Sequence, residues 1–219
     1  MLVAGVDDAG RGPVIGPLVI AGVLFEEQDL PKLKDLGVKD SKLLSPQKRE
    51  TLATQIKALA LIHHTVWLSP AEIDRVVESK RKLHKLNRLE AQAMAKAITI
   101  LKPDIAYVDA SDILADRFAE HIAESLTFSL KIVSEHKADV KYPVVSAASI
   151  IAKVERDKEI CRLQKKHGNI GCGYPSDPNT INFLENWIKK FGSYPDFVRK
   201  SWKTAKRVQS KTDLRQKKL

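Results

Sequence analysis

Two cysteines in 219 residues, Cys161 and Cys172, are too few for a disulfide framework or a four-ligand zinc site, and they lack metal-ligand spacing. Both are expected to be free thiols. No apolar run approaches the roughly 20 residues needed to span a bilayer, and residues 1–6 lack the basic start and long apolar core of a secretory signal. The expected setting is the cytoplasm, without a membrane partner. Familiar nucleotide and hydrolase signatures are missing too. The glycine-rich stretch near the start has no Gly-Lys-Ser/Thr ending and no dinucleotide-fingerprint order, and the chain has neither Gly-x-Ser-x-Gly nor His-Glu-x-x-His. Its six histidines form no ligand pattern: His63 and His64 read as structural, and His136 is a minor candidate beside an acid. No repeat or low-complexity segment is present.

What the chain has in excess is positive charge, a formal +10, and the excess is localised. Residues 199–219 hold nine Lys or Arg and one acid, Asp213; a second cluster, Lys80, Arg81, Lys82, Lys85 and Arg88, has no acid among residues 79–88. Clustered cations favour a polyanion, nucleic acid first, with an anionic membrane surface or a solvated helix face as the alternatives.

The chain is organised around its first stretch, where the apolar run Leu2-Val3-Ala4-Gly5-Val6 leads into Asp7-Asp8 and then a loop containing Gly10, Gly12 and Gly16. Neighbouring residues on a strand point to opposite faces, so Asp7 and Asp8 serve one site only if the strand stops or twists between them; otherwise Asp8 caps a turn. A second apolar strand, Ile105 to Ala110, also carries an acid near its end, Asp109. Strands from distant parts of the chain can lie side by side and bring such acids together. Asp139 precedes a long helix where the chain returns to the sheet edge.

Between these points Leu18–Phe25 and Leu61–Leu68 read as strands and Phe128–Glu135 as a last one. Ser45-Pro46 opens a helix whose buried stripe is Leu52, Ile56 and Leu59, and Ser69-Pro70-Ala71-Glu72 is a capping-box start. Asn87 caps a helix that runs to Leu101 before Pro103. Further helices are expected at 116–126, from about 143 to His167, at 179–191 and at 197–208, and Gln209–Leu219 is expected to fray. The order predicts an α/β protein with a mixed five-stranded sheet, antiparallel at the start and flanked by helices, with a helical C-terminal portion. The expected division is 1–170, 171–208 and a basic flexible tail, 209–219.

Four carboxylates on three segments, Asp7, Asp8, Asp109 and Asp139, would repel one another if crowded without a cation. With Mg2+ or Mn2+ they become hard oxygen ligands, a set suited to phosphodiester hydrolysis.

The opening run resembles the Asp-Glu-Ala-Gly-Arg-Gly signature of ribonuclease HII, with Asp8 in place of Glu and its side chain shorter by roughly 1.5 Å. The resemblance extends to about residue 205 through Asp40-Ser41-Lys42, the strand ending at Asp109, Lys137-Ala138-Asp139, Val144 to Lys153, Gly173-Tyr174-Pro175-Ser176-Asp177 and Lys200-Ser201-Trp202-Lys203-Thr204. The fourth acid is of the archaeal type. The resemblance implies a ribonuclease H-like fold and a metal-dependent endoribonuclease. Such an enzyme cleaves RNA in RNA/DNA hybrids and cuts 5′ to single ribonucleotides in duplex DNA. It also implies Asp7, Asp8, Asp109 and Asp139 as catalytic metal ligands and Gly10, Arg11 and Gly12 as readers of the ribose 2′-hydroxyl. Tyr174 would stack on the next sugar, and Lys42 and Lys153 would contact phosphates. The catalytic strand beginning at residue 2 favours type 2 over type 3 enzymes. A monomer is expected, and residues 209–219 lack the paired aromatics of a sliding-clamp-binding tail. Two alternatives remain at this stage: a nucleic-acid-binding protein of the same fold with a weakened site, and a nuclease or resolvase acting on branched or all-DNA substrates.

Overall fold

The computed structural model describes residues 1–38, 44–80, 83 and 85–216, of which 213–216 by backbone alone. In chain order the elements are β1 (Leu2–Ala9), β2 (Leu18–Glu26), α1 (Leu30–Asp35), α2 (Pro46–Leu59), β3 (Ile62–Leu68), α3 (Pro70–Val77), α4 (Lys85–Leu101), β4 (Ile105–Asp109), α5 (Ala115–Ala123), β5 (Lys131–Glu135), α6 (Ala138–Lys141), α7 (Pro143–His167), α8 (Pro178–Phe191) and α9 (Lys203–Gln216). The chain divides into two compact units: Met1–Ala9, Val19–Trp67 and Lys82–Glu155 form the first, and Gly10–Leu18, Leu68–Arg81 and Arg156–Leu219 the second.

The first unit is built on the mixed sheet, in the order β3-β2-β1-β4-β5. β1 pairs antiparallel with β2 and parallel with β4, which pairs parallel with β5. The interior strands β1 and β2 are buried almost throughout, whereas β3, at the sheet edge, is largely exposed. This is what continuous apolar runs in the middle and a His-rich run at the margin dictate. The small, apolar start of α7 lies directly on β1: a Cβ on Gly5 would sit 2.2 Å from the Val144 carbonyl oxygen, so only glycine permits the contact. Phe25, Leu33, Ile56, Ile105, Val145 and Ile151 belong to the core around this contact, each side chain contributing about 1.5–3 kcal/mol.

The Ser45 hydroxyl accepts from the Lys48 N–H at 3.3 Å and Pro46 opens α2. Leu52 and Ile56 are buried as expected, but Leu59 is exposed because the helix ends there. Asn87 is not a cap: α4 begins at Lys85, and the Asn87 side chain instead hydrogen-bonds Asp112. The last strand starts at Lys131 rather than Phe128.

The second unit packs Val14, Ile15, Ile160, Leu163, Leu184, Ile188 and Val198 into a separate core. Its α3 carries the full Ser69/Glu72 capping box, and α8 is capped by Asp177 and stopped by Gly192 at φ 72°. The helix expected over 197–208 is displaced to 203–216. Val198 bridges to Ile15, and the Arg199 N–H donates to the Val14 carbonyl at 2.8 Å, so tertiary pairing claims the backbone that the helix needed. Residues 209–216 continue α9.

Candidate active site

In the first unit, the β1–β4 register runs Val3↔Ile105 to Val6↔Val108, so Asp7 and Asp109 follow the last paired residues of adjacent parallel strands. β4 ends on Asp109, which lies opposite Glu135 of β5. The chain then turns at Lys137, held in the left-handed region at φ 55°, and enters α6. That turn aims the Ala138 N–H at Asp109 Oδ1, 2.7 Å away, and Asp139, the next residue, is buried. Three segments thus converge on the ends of two strands.

Asp7 is buried, 4% exposed, and its Oδ1 accepts the Asp8 N–H at 2.7 Å. Burial, then the charges of Asp8 and Asp109, hold its carboxyl well above the usual carboxylate range, while the Ser149 side chain and the Asp8 N–H pull the other way. Asp8 is half-buried, and its Oδ1 accepts from the Ser111 hydroxyl at 3.1 Å. β1 stays paired with β2 through Ala9↔Val19, so the strand does not stop between the two acids and Asp8 is not a turn cap, yet the charge of Asp8 bears on Asp7. Each acid instead has its own partner, Ser149 of α7 for Asp7 and Ser111 of the segment after β4 for Asp8.

The segment after β4 is pinned by Asp112, whose buried carboxylate takes a forked ion pair from Arg117, the Leu114 N–H at 3.1 Å and the Asn87 side chain. His136 Nε2 lies 3.1 Å from the Ile113 carbonyl oxygen, which employs it on the same segment. Glu135 accepts from Lys141 and, at 2.7 Å, from the Tyr142 hydroxyl.

Among the described residues no three His, Cys, Asp or Glu side chains form a ready-made metal cage. The donor chemistry nevertheless suits a hard dication: oxygen ligands only, with a carboxyl raised first by burial and then by two neighbouring carboxylates, a repulsion that a cation would reverse. Lys153 is half-buried on α7, and Lys42 lies outside the described residues.

In the second unit the predicted glycine loop is clasped by two arginines that sequence reasoning did not single out. Arg156 and Arg199 are 1% and 0% exposed. Arg199 donates to the carbonyls of Gly10, Arg11 and Gly16 at 2.5, 2.8 and 3.1 Å. Arg156 donates to the Cys172 carbonyl at 2.9 Å and lies 5.0 Å from the centroid of the Tyr174 ring. Gly10 has φ 95°, and a Cβ there would meet Arg156 Cδ and the Pro17 carbonyl oxygen at 2.7 Å. Gly12 is exposed and under no such constraint: its Cβ would lie 3.7 Å from Tyr174 Cε1, an ordinary contact. Asp177 takes the Cys172 N–H at 2.6 Å and the Asn179 N–H at 2.9 Å, which fixes the loop bearing Tyr174 and holds its carboxyl below the usual range. Cys161 and Cys172 are free thiols, as expected. Among the described residues no helix is long and apolar enough to cross a membrane.

A profile of the family described as Ribonuclease HII matches residues 4–205. The ribonuclease HII of Pyrococcus furiosus is 46% identical over 221 residues, covering all of this chain and 96% of that protein. The crystal structure of ribonuclease H2 from Pyrococcus horikoshii superposes with a TM-score of 0.89 at 44% identity, covering 97% of this chain and 99% of that one. The ribonuclease HII in the PCNA complex from Archaeoglobus fulgidus does so with a TM-score of 0.84 at 45% identity, over 93% of this chain and 96% of that one. Strand-end acids, mixed sheet and full-length similarity agree, and the chain belongs to the ribonuclease HII family of metal-dependent endoribonucleases.

Proposed function

We propose that this chain hydrolyses the RNA strand of RNA/DNA hybrids and cuts 5′ to single ribonucleotides embedded in duplex DNA, leaving 3′-hydroxyl and 5′-phosphate ends. The observation that carries the reading is Asp7, a buried carboxyl held protonation-prone by Asp8 and Asp109. Such crowding is unfavourable alone and becomes useful when cations are bound. Asp7, Asp8, Asp109 and Asp139 would hold Mg2+ or Mn2+. Two such ions, when bound, activate the attacking water and stabilise the leaving oxygen. Ser149 and Ser111 orient Asp7 and Asp8, and the Ala138 N–H fixes one oxygen of Asp109.

Gly10, Arg11 and Gly12 read the ribose 2′-hydroxyl through backbone, where glycine permits close approach. Tyr174 offers a ring for a sugar, and Lys42 and Lys153 serve phosphates. Residues 171–208 act as the substrate-binding portion of a monomer in the cytoplasm. A clamp contact like that named for the Archaeoglobus complex would need a device other than paired aromatics in 209–219.

The shortened acid favours a second reading, a binder of the same fold with weakened catalysis, because Asp8 reaches less far than Glu and is engaged by Ser111. The test uses an end-labelled duplex with one internal ribonucleotide, incubated with Mg2+ and then Mn2+, beside an all-DNA duplex and with Asp109→Asn as control. A single cut 5′ to the ribonucleotide, lost in the folded variant, is expected. Binding without cleavage in either metal would establish the second reading, and 2′,3′-cyclic phosphate ends would overturn the mechanism.

A further inference from the structure

The buried guanidinium of Arg199 and the indole of Trp202 hold the glycine loop from one side. Arg199 takes the carbonyl oxygens of Gly10, at 2.5 Å, and Arg11, at 2.8 Å, and Trp202 Nε1 donates to the Gly12 carbonyl at 3.1 Å. Gly16 adds a further carbonyl at 3.1 Å, and the guanidinium lies 5.0 Å from the centroid of the Trp202 ring. Three consecutive carbonyls, of residues 10, 11 and 12, therefore share donors from two side chains three positions apart on one segment.

Trans peptides are planar, so a carbonyl and the N–H of the following residue point in opposite directions. No cis peptide occurs in the loop. Drawing the Gly10 and Arg11 carbonyls toward Arg199 turns the Arg11 and Gly12 N–H groups to the opposite side. The third carbonyl is followed by Pro13, which has no N–H, so the outward row ends at two donors. A fully buried cation would be unfavourable by itself; here the carbonyl dipoles that it orients are its solvation.

We propose that Arg199 and Trp202 are positioning residues for ribose discrimination: by fixing the loop carbonyls from behind, they set the direction of the Arg11 and Gly12 amides. The inference rests on the reading of this loop as the 2′-hydroxyl recognition element and adds the residues that give the loop its orientation. Arg199 is suited to this by its fork, which serves several carbonyls at once, a task that a lysine ammonium cannot reproduce in the same geometry.

The experiment measures affinity in EDTA for two labelled duplexes of one sequence, one with a single internal ribonucleotide and one all-deoxy. The readout is the ratio of the two affinities, which general damage to the fold leaves in place by lowering both together. Trp202→Phe keeps a ring over Arg199 and removes only the N–H, and is expected to reduce the ratio about fivefold. Arg199→Lys is expected to reduce it about tenfold or more. If Arg199→Lys does not fold by circular dichroism, Trp202→Phe decides alone. An unchanged ratio in Trp202→Phe and in folded Arg199→Lys overturns the inference. Gly12→Ala separates it from its parent reading. A ratio lost in Gly12→Ala and kept in the other two removes the positioning role alone. No preference in the unaltered protein, or a preference untouched by Gly12→Ala, removes the loop reading and this inference with it.

Discussion

The Ser111 hydroxyl donates to Asp8 Oδ1 at 3.1 Å, joining residues 103 positions apart in the chain. Ser111 leaves β4 two residues after Asp109, so a single short segment both presents one acid and orients another. Ser111→Ala removes one hydrogen bond to Asp8, and the cleavage rate is expected to fall about fivefold to tenfold at unchanged KM. In an Asp8→Glu background, where the carboxylate sits further out, the same substitution should have a smaller effect. Single-turnover rates of the four proteins test this; equal losses in both backgrounds would separate Ser111 from Asp8.

Asp7 gives a prediction with a definite sign. Its carboxyl is held above the unfolded value by burial and by Asp8 and Asp109, so the folded protein binds a proton that the unfolded chain has released. That difference lowers stability as pH rises from the unfolded carboxylate range, about 3.9, through the folded value. Asp7→Asn should therefore raise the melting temperature of the metal-free protein at pH 7 by about 2–4 °C, with the gain vanishing toward pH 4. Thermal melts in EDTA across this range check it.

The buried Asp112 behaves oppositely. Arg117, and then the Asn87 side chain and the Leu114 N–H, hold its carboxyl well below the usual range against the opposing effect of burial. Its contribution is fully present above the unfolded carboxylate value and is lost progressively as pH falls from there through the depressed folded value. Arg117→Met leaves that charge without its ion pair and is expected to lower the urea midpoint at pH 7. Urea denaturation at pH 7 and pH 2 should show the deficit shrinking in acid.

Lys137 stands in the left-handed region at φ 55°, immediately before the Ala138 N–H that serves Asp109. A side chain there costs about 1–2 kcal/mol, partly offset by the greater freedom of glycine in the unfolded chain. Lys137→Gly is expected to stabilise the protein by about 0.5 kcal/mol and to raise its melting temperature by about 1–2 °C. A lower melting temperature would mean that the Lys137 side chain contributes more than the strain removes.

The strands, the acids at their ends and the capped starts of α2 and α3 were legible because each is encoded within a few residues. Apolar runs specify strands, and Ser-Pro or Ser-x-x-Glu specifies where a helix begins. What was not legible depends on distant partners. Residues 197–202 have the composition of a helix start, and only Ile15 and Val14, far away in sequence, divert them. Asn87 looks like a cap until Asp112 claims it. Arg156 and Arg199 sit among charged residues that suggest a surface, and nothing local reveals that loop carbonyls draw both guanidinium groups inward. The choice left open for Asp8 was not legible for a related reason: pairing with β2 carries the strand past it, a constraint imposed by Val19 and Ile20 rather than by the glycines that follow.

The place of β1 in the sheet also sets an order of assembly. Its pairing with β2 joins neighbours in sequence and can close while the chain is still short, whereas Val6↔Val108 must wait for about 100 further residues. The contact of Gly5 with Val144 waits longer still. During synthesis, therefore, Asp7 and Asp8 spend the early period on a hairpin without the other acids. The burial of Asp7 and its repulsion by Asp109, added to that by Asp8, are completed only at the closing step, when β4 docks beside β1. The divalent ions proposed for this site would ease that closure, so refolding in Mg2+ is expected to be faster than in EDTA.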